Sequence, residues 1–174
     1  GSRLVGSEMC IRDRIYPHEK IVEKTGEVPR ELGAEIAKKC KEIGFFAANF
    51  PEELGGGGMN HLEFTLLERE LGRGSNALTV FFGRPSGILM ACNDLQKDKY
   101  LIPAIKGEKF DALAMTEPGA GSDVRGMECT GQRKGGDWIV NGTKHFISHA
   151  DIADFVIVFI ATGEEETEKG KKKK

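Results

Sequence analysis

Apolar residues in the first half of the chain recur at the spacing of a helix. Between Pro29 and Gly44, four of them lie three or four positions apart: Leu32, Ile36, Cys40 and Ile43. Pro29 suits a first helical turn, because its missing N–H would have no partner there. Gly44 suits the position just after the last turn, where a left-handed backbone is common. The pattern therefore predicts an amphipathic helix between these two residues.

A second helix is predicted after Asn60. Asn60 can cap it, and Glu63 completes a capping box, in which each side chain hydrogen-bonds the backbone of the other residue. A broad apolar stripe follows, made of Leu62, Phe64, Leu67 and Leu71. The stripe stops near Gly72, which is the expected end of this helix.

Glycine and proline interrupt the helical pattern at several further points. Residues 55–58 are four consecutive glycines, which predict a loop but lack the spacing of a phosphate-binding motif. Residues 83–87 hold Pro85 between two glycines, which predicts a broken or kinked helix. Asp94 can cap a further helix, and Pro103 is expected to limit it.

The period changes to that of strands in the second half of the chain. Four segments are predicted to be strands: residues 127–133, 138–140, 143–147 and 155–160. Asn141 and Gly142 predict a two-residue hairpin turn, because both positions of such a turn need positive φ. Helices followed by antiparallel strands indicate the α+β class. So few strands make a poor sheet on their own, so the chain is expected to be truncated on its C-terminal side.

The composition argues against several classes of function. With 25 basic and 27 acidic residues the formal net charge is −2, so nucleic acid is not an expected partner. The longest apolar run, residues 155–161, is far too short to span a bilayer, so no membrane insertion is expected. The four cysteines are scattered without metal-ligand spacing. No metal site is therefore predicted, and a reducing compartment fits the free thiols.

The two ends are expected to lie outside the native fold. Gly1 and Ser2 resemble a tag-cleavage remnant, and residues 1–14 are interpreted as a non-native leader. Residues 163–174 are charged and low in complexity, so they are predicted to form a disordered tail.

Residues 114–126 concentrate backbone chemistry that suits an anionic ligand. Pro118 and Gly119 fit the centre of a type II turn. Residues 120–122 have little bulk, so their N–H groups could line a nest for a pyrophosphate, and the hydroxyl of Thr116 adds a hydrogen-bonding group. Glycine-rich turns also occur without any ligand, and the loop alone slightly favours that simpler interpretation.

A second cluster, residues 143–148, changes that balance. On a strand, Phe146 and Ser148 would point to the same side. An aromatic wall beside a hydrogen-bonding group suits the isoalloxazine ring of a flavin, whereas Phe146 by itself is more typical of an ordinary core. Together the two clusters predict a flavin site.

Residues 114–123 closely resemble the signature of the flavin-dependent acyl-CoA dehydrogenase family. Three further stretches resemble that family in the same order: residues 51–56, 94–101 and 141–148. The resemblance covers the chain from Tyr16 to Thr162. It implies an all-helical N-terminal domain over residues 15–112. Residues 113–162 would then be the beginning of an antiparallel β-barrel-like middle domain.

The resemblance implies FAD as the cofactor. The residues that would contact FAD are Leu113, Ala114, Met115, Thr116, Gly121, Ser122, Phe146, Ile147 and Ser148. Ser122 would also touch the phosphate-bearing arm of the CoA substrate. Phe146 stands where the family usually has tryptophan, so it keeps an aromatic wall but loses the indole N–H.

The resemblance also implies a reaction and its partners. Two hydrogens would leave the α and β carbons of an acyl-CoA, and an electron-transfer flavoprotein would accept the electrons. The family's catalytic base is a glutamate in a C-terminal helical bundle, so no catalytic residue is expected in this chain. The chain is therefore expected to be inactive alone and to bind FAD weakly. Its full-length form is expected to be a homo-oligomer in the cytoplasm or the mitochondrial matrix.

Two other functions stay open at this point. A related flavoprotein oxidase or monooxygenase would use the same scaffold and differ in how oxygen reaches the reduced flavin. A non-catalytic helical interaction module would not need Thr116, Ser122 and Ser148 to converge.

Overall fold

The chain folds as two compact units, one helical and one made of strands. The structure, a computed structural model, describes residues 11–167 and 170–173. The first unit ends at Lys109 and the second begins at Phe110. The α+β class is confirmed, since a helical region is followed by the start of a sheet domain. The domain limits at residues 14, 112 and 162 stay predictions.

Six α-helical segments occur among the described residues of the first unit. They are α1 (Tyr16–Thr25), α2 (Arg30–Glu42), α3 (His61–Leu71), α4 (Asn76–Thr79), α5 (Asp94–Gln96) and α6 (Ile102–Ile105). Two π-helical turns, Ile11–Ile15 and Lys97–Leu101, lead directly into α1 and α6. In the part of the chain that the structure describes, no helix combines the length and apolar character that a membrane span requires.

The predicted apolar face of α2 lies in the core of the first unit. Ile36 and Cys40 are fully buried, and Leu32 and Ile43 pack against them from the rim. Burying a side chain of this size stabilises the fold by roughly 1.5–3 kcal/mol. The buried core cluster consists of Ile11, Ile15, Val22, Ile36, Cys40, Phe45, Ala48, Met59, Leu67, Leu71, Leu78 and Phe82.

The predicted capping box at the start of α3 is confirmed. The Asn60 side chain accepts hydrogen bonds from the backbone of Leu62 and Glu63 at 3.0 Å, and Glu63 accepts from the Asn60 N–H at 3.0 Å. Leu67 and Leu71 are buried as expected. Leu62 is not, because it lies on the outer face of the first turn and is 69% exposed. Its place in the apolar stripe was predicted wrongly.

The next helix starts one residue earlier than the sequence predicts. Its cap is Asn93, whose side chain accepts from the Gln96 N–H at 2.9 Å. Gln96 in turn accepts from the Asn93 N–H at 3.0 Å, so the two form a second capping box. Asp94 is therefore the first helical residue and not the cap.

The sequence predicts that Pro103 limits this helix. In the structure Pro103 instead lies within α6. A proline has no N–H for the carbonyl four residues earlier, which is that of Lys99. The π-helical turn shifts the hydrogen bonding just before Pro103. The Lys99 carbonyl instead accepts from the ammonium group of Lys109 at 3.0 Å. Pro103 is tolerated here because it lies in the first turn of α6.

The run of four glycines forms a loop, and close packing or a left-handed backbone explains three of its members. A Cβ on Gly57 would lie 2.6 Å from the Gly44 carbonyl oxygen and 2.8 Å from Cα of Ala48. Gly55 and Gly58 have φ of +90° and +61°, in the left-handed region that favours glycine. Backbone geometry, and not phosphate binding, accounts for these glycines.

The second unit contains three separate two-stranded pairs. The strands are β1 (Asp111–Ala114), β2 (Thr130–Lys134), β3 (Asp137–Asn141), β4 (Phe155–Val158), β5 (Glu164–Thr167) and β6 (Gly170–Lys173). The β2–β3 and β5–β6 pairs are antiparallel, but β1 and β4 run parallel, with Asp111 opposite Phe155. The expected barrel-like sheet is not closed within the described residues.

The hairpin turn lies at Gly135 and Gly136, which join β2 to β3. Asn141 instead ends β3, so Asn141 and Gly142 do not form the predicted two-residue turn. Gly142 has φ of +143°, and a Cβ there would lie 2.6 Å from Cα of Cys129. Close backbone packing is therefore what requires a glycine at this position.

The C-terminal segment also differs from what the sequence predicts. Residues 163–174 are predicted to be disordered, yet β5 and β6 pair within them. The register sets Glu164, Glu165 and Glu166 opposite lysines of β6.

Replacing Gly57 with alanine should destabilise the first unit. The added Cβ has rigid backbone on two sides, so Gly57→Ala should lower the free energy of unfolding by about 1–3 kcal/mol. Urea unfolding followed by circular dichroism measures this. Gly87→Ala is the matched control, because nothing lies within 4 Å of its new Cβ. Equal unfolding midpoints for Gly57→Ala and the wild type would contradict the packing argument.

Candidate functional site

A buried ion pair lies at the centre of the second unit. The Lys144 ammonium nitrogen is 2.7 Å from Oε1 of Glu117, and the two side chains are 11% and 4% exposed. Glu117 belongs to the glycine-rich loop predicted to bind an anion, and Lys144 belongs to the second predicted cluster. The pair therefore joins the two clusters directly.

Backbone groups satisfy the remaining hydrogen-bonding capacity of the pair. Glu117 Oε2 accepts from the Glu128 N–H at 2.6 Å, and Oε1 accepts from the Cys129 N–H at 3.0 Å. Lys144 also donates to the carbonyl of Met115 at 2.9 Å. Three segments that are distant in the sequence thus meet at one carboxylate and one ammonium group.

Opposing effects act on the pKa of Glu117, and their balance keeps it charged. Burial raises the pKa, because a desolvated carboxylate is less stable than a carboxyl group. The hydrogen bond from Lys144, the N–H groups of Glu128 and Cys129 and the charge of Lys144 all lower it. The net result is a pKa below its ordinary value. Glu117 is therefore an ionised structural group at neutral pH.

The loop after Glu117 closes as a tight turn, but not of the predicted type. The Glu117 N–H donates to the Ala120 carbonyl at 3.0 Å, and the Ala120 N–H donates back at 3.2 Å. A type II turn needs positive φ at its third residue, which here is Gly119. Gly119 lies outside that region, so the type II prediction is wrong. Pro118 suits the second position of type I turns as well, which is why the sequence did not distinguish them.

The turn determines which N–H groups of the loop can meet a ligand. The Ala120 N–H is used within the turn, so it does not contribute to the anion nest predicted over residues 120–122. Gly121 and Ser122 follow it and are exposed. Neither makes a hydrogen bond to another described residue. Their N–H groups are the part of the predicted nest that stays available.

The segment predicted to cover a flavin is a bend and not a strand. Within residues 143–147, the His145 N–H donates to the Thr116 carbonyl at 3.0 Å, and Phe146 has φ of +55°. A left-handed residue reverses the direction of an extended chain, so Phe146 and Ser148 do not share a strand face as predicted. Phe146 is 86% exposed, and its ring lies against that of His145.

The structure brings some of the predicted FAD-contacting residues together. Met115 and Thr116 lie beside residues 144–146, because Lys144 and His145 bond to their two carbonyls. No hydrogen bond among the described residues joins Gly121 or Ser122 to residues 146–148. Exposed members of the predicted set are Leu113, Gly121, Ser122, Phe146 and Ser148, and more enclosed ones are Ala114, Met115, Thr116 and Ile147.

Sequence reasoning did not single out the two charged residues at the centre of the site. Glu117 was noted only as part of the loop motif, and Lys144 only as part of the second cluster. A faint signal exists, since Lys144 is the one cation in residues 135–148. Pairing it with Glu117 requires knowledge of the fold, because 27 residues separate them.

The described residues form neither a disulfide nor a metal-binding cluster at this site. Among the described residues, Cys40 and Cys129 are buried and Cys92 is partly buried, and none of the three forms a disulfide, whereas Cys10 lies outside the described residues. In the described part of the chain, no three histidine, cysteine, aspartate or glutamate side chains come close enough to hold a metal ion.

Comparison with known families accounts for both units. The model of the acyl-CoA dehydrogenase N-terminal domain matches residues 8–108, and that of the acyl-CoA dehydrogenase middle domain matches residues 112–173. The chain belongs to the acyl-CoA dehydrogenase family. The family resemblance predicted from residues 114–123 and three other motifs is therefore confirmed.

Individual members of the acyl-CoA dehydrogenase family align over most of the chain. A 3-(aryl)acrylate reductase of Clostridium sporogenes is 38% identical over 161 residues, which are 90% of this chain and 42% of that protein. Subunit CarC of a caffeyl-CoA reductase-Etf complex of Acetobacterium woodii is 36% identical over 146 residues, which are 81% of this chain and 38% of that protein. The chain thus spans about two fifths of the length of these curated relatives.

A solved acyl-CoA dehydrogenase shows the same fold. The structure of the Bacillus anthracis protein, which is complexed with FAD, superimposes with a TM-score of 0.76 at 26% identity. The match covers 92% of this chain and 28% of that one. The two units therefore correspond to the helical and middle regions of the family.

Glu117→Gln should change how the stability of this family member depends on pH. The folded pKa of Glu117 lies below its ordinary value of 4.5, so the unfolded chain takes up the proton first as pH falls. The stabilisation that the ionised Glu117 contributes is present in full above the ordinary pKa of 4.5. It is lost as the pH falls through the lower pKa of the folded state. At neutral pH the free energy of unfolding of the variant should be about 3–5 kcal/mol lower than that of the wild type, since the variant leaves Lys144 buried without its charged partner.

Urea unfolding between about pH 3 and pH 7 tests this pH dependence. The difference between the wild type and Glu117→Gln should be largest at neutral pH and should shrink on the acid side. Glu128→Gln serves as the control, because that side chain is exposed and only its backbone N–H contacts Glu117. A difference that stays constant across this range would show that the charge of Glu117 is unimportant.

Proposed function

We propose that the chain forms the flavin-binding part of an FAD-dependent acyl-CoA oxidoreductase. The observation that carries this proposal is the junction at Glu117 and Lys144, which holds the two predicted flavin-contacting segments side by side. Membership of the acyl-CoA dehydrogenase family and the FAD of the Bacillus anthracis relative support it.

The chemistry of the exposed groups fits FAD. The free N–H groups of Gly121 and Ser122 suit the pyrophosphate, because small residues allow an anion to approach the backbone closely. The carbonyls of Met115 and Thr116 are already bonded to Lys144 and His145. The hydroxyl of Thr116 is therefore left to donate to the flavin. The exposed ring of Phe146 supplies an apolar wall.

The bound FAD would supply the redox step, in which a hydride moves between the β carbon of the acyl group and the flavin. The residues of this chain would orient the cofactor, with Leu113 to Thr116 along the ring edge and residues 146–148 against the ring. Ser122 would also bind the CoA arm of the acyl-CoA. These assignments rest on the family motif, residue by residue.

The base that accepts the α proton is proposed to lie in a part of the relatives that this chain does not match. A general base works best with a pKa near the operating pH. Glu117 fails this requirement, because three hydrogen bonds hold its carboxylate and its pKa is lowered. The chain alone should therefore be inactive.

The electron partner is proposed to be an electron-transfer flavoprotein. The Acetobacterium woodii relative is named as a subunit of a reductase-Etf complex, which supports this class of partner. The homo-oligomeric state and the cytoplasmic or mitochondrial location stay predictions, since no feature of the described residues bears on them.

The same chemistry run in reverse is a second candidate function. Two relatives that align with most of this chain are named as reductases of an arylacrylate and of caffeyl-CoA. These names favour reduction of a conjugated C=C bond next to a carboxyl or thioester group. Oxidation and reduction use the same flavin geometry, so the direction depends on the substrate and the electron partner.

FAD titration of the purified chain tests the proposed flavin site. We expect weak binding, so that FAD added in equal amount is only partly bound. Gly121→Val should weaken it about tenfold or more, because lost access to the backbone removes a charge-assisted hydrogen bond worth roughly 1.5–3 kcal/mol. Quenching of FAD fluorescence measures the dissociation constant of FAD for the wild type and for Gly121→Val.

Gly136→Val is the matched control for this titration. Both glycines are exposed, have nothing within 4 Å of an added Cβ and lie outside the left-handed region. The control should bind FAD like the wild type. If the wild type does not quench FAD, or if both variants weaken binding equally, the proposed site is wrong.

Anaerobic mixing with an acyl-CoA tests the proposed lack of activity. The flavin absorbance at ~450 nm should persist, because the proposed base lies in a part of the relatives that this chain does not match. Bleaching of the bound flavin by the acyl-CoA would show that a base is present in this chain after all.

A further inference from the structure

The Glu117–Lys144 pair holds more than its own two segments. Besides the bond within the pair, its hydrogen bonds reach Met115 in the loop and the backbone of Glu128 and Cys129 just before β2. One more bond, from His145 to Thr116, lies immediately next to the pair. The loop, the lead into β2 and the bend at residues 144–146 are therefore all attached at one point.

Stability alone is a weak explanation for such a pair. Removing two charges from water costs several kcal/mol per ion, and apolar replacements of buried pairs are often neutral or stabilising. What an apolar pair lacks is direction, since it offers no donors or acceptors at fixed angles. A carboxylate that accepts from three donors, and an ammonium group that donates to two acceptors, fix the angles between the segments that carry them.

We propose that Glu117 and Lys144 are positioning residues for the flavin. They set the place of Thr116 and Phe146 relative to each other without touching the cofactor themselves. This inference rests on the proposed function. Lys144 donates to the Met115 carbonyl and His145 donates to the Thr116 carbonyl, so Thr116 and Phe146 each directly follow a residue that is bonded across this junction.

Two variants distinguish an effect on flavin positioning from an effect on folding. Lys144→Met leaves the Glu117 carboxylate buried without its cation, so both the fold and the flavin site should suffer. The double variant Glu117→Gln with Lys144→Met removes the unpaired charge. Its glutamine oxygen can still accept from Glu128 and Cys129, so the fold should recover. The Met115 carbonyl stays without a donor, so flavin binding should not recover.

Charge and direction are separated by two further variants. Lys144→Arg keeps a cation that can donate to both Glu117 and Met115, so it should bind FAD more tightly than Lys144→Met but less tightly than the wild type. The exchange Glu117→Lys with Lys144→Glu keeps both charges but leaves the N–H groups of Glu128 and Cys129 facing a cation. This exchanged variant should therefore bind FAD no more tightly than Lys144→Met does, although its two charges still attract each other.

The experiment measures FAD affinity, the circular dichroism of the bound flavin and the urea midpoint of the complete chain. Lys134→Met is the control, since that lysine is an exposed residue of β2. We expect the control to match the wild type in all three. The double variant should regain the urea midpoint yet bind FAD about tenfold more weakly, with an altered flavin dichroism.

Three outcomes would contradict the positioning role, and one of them would contradict the proposed function as well. If the wild type binds FAD and the double variant binds it equally well with the same dichroism, the pair is only structural and this inference is wrong. If the wild-type chain binds no FAD at all, the proposed function fails, and the positioning role fails with it. A fall in affinity that tracks the urea midpoint across all variants would also contradict positioning.

Discussion

The geometry of the second unit depends on one buried charge, the carboxylate of Glu117. Desolvating it is unfavourable by several kcal/mol, so the fold must bring it a cation and oriented donors. It obtains them from Lys144, 27 residues away, and from the Cys129 N–H, 12 residues away. The positions of the loop, of the lead into β2 and of the bend at residues 144–146 then follow, because each contributes a partner that has no alternative inside the protein.

This arrangement also decides what is left on the outside. The polar groups that face inward are consumed, including the carbonyls of Met115 and Thr116 and the N–H of Ala120. The groups that remain are small or aromatic and exposed: Gly121, Ser122 and Phe146. Exposed N–H groups of small residues are of the kind that suits an anion, and an uncovered aromatic ring is of the kind that suits a flat ring system. The inner network therefore defines the character of the outer surface.

The features that the sequence predicted correctly are those set by neighbours along the chain. The buried face of Ile36 and Cys40 and the capping box of Asn60 with Glu63 depend on residues within one or two turns. The strand predicted at residues 143–147 failed because Lys144 is held by a residue far away in the sequence. β1 was missed because four residues with two alanines carry little strand signal.

The flavin prediction survived an incorrect account of its local structure, and Phe146 shows why. The sequence placed its ring on a strand face, whereas the structure exposes it through a left-handed backbone with φ of +55°. Such a conformation is unfavourable by about 1–3 kcal/mol and persists only where the surroundings impose it. The two preceding residues, Lys144 and His145, are both held by hydrogen bonds. An aromatic ring held outward in this way keeps its apolar surface in water, so covering it with another apolar surface would be favourable.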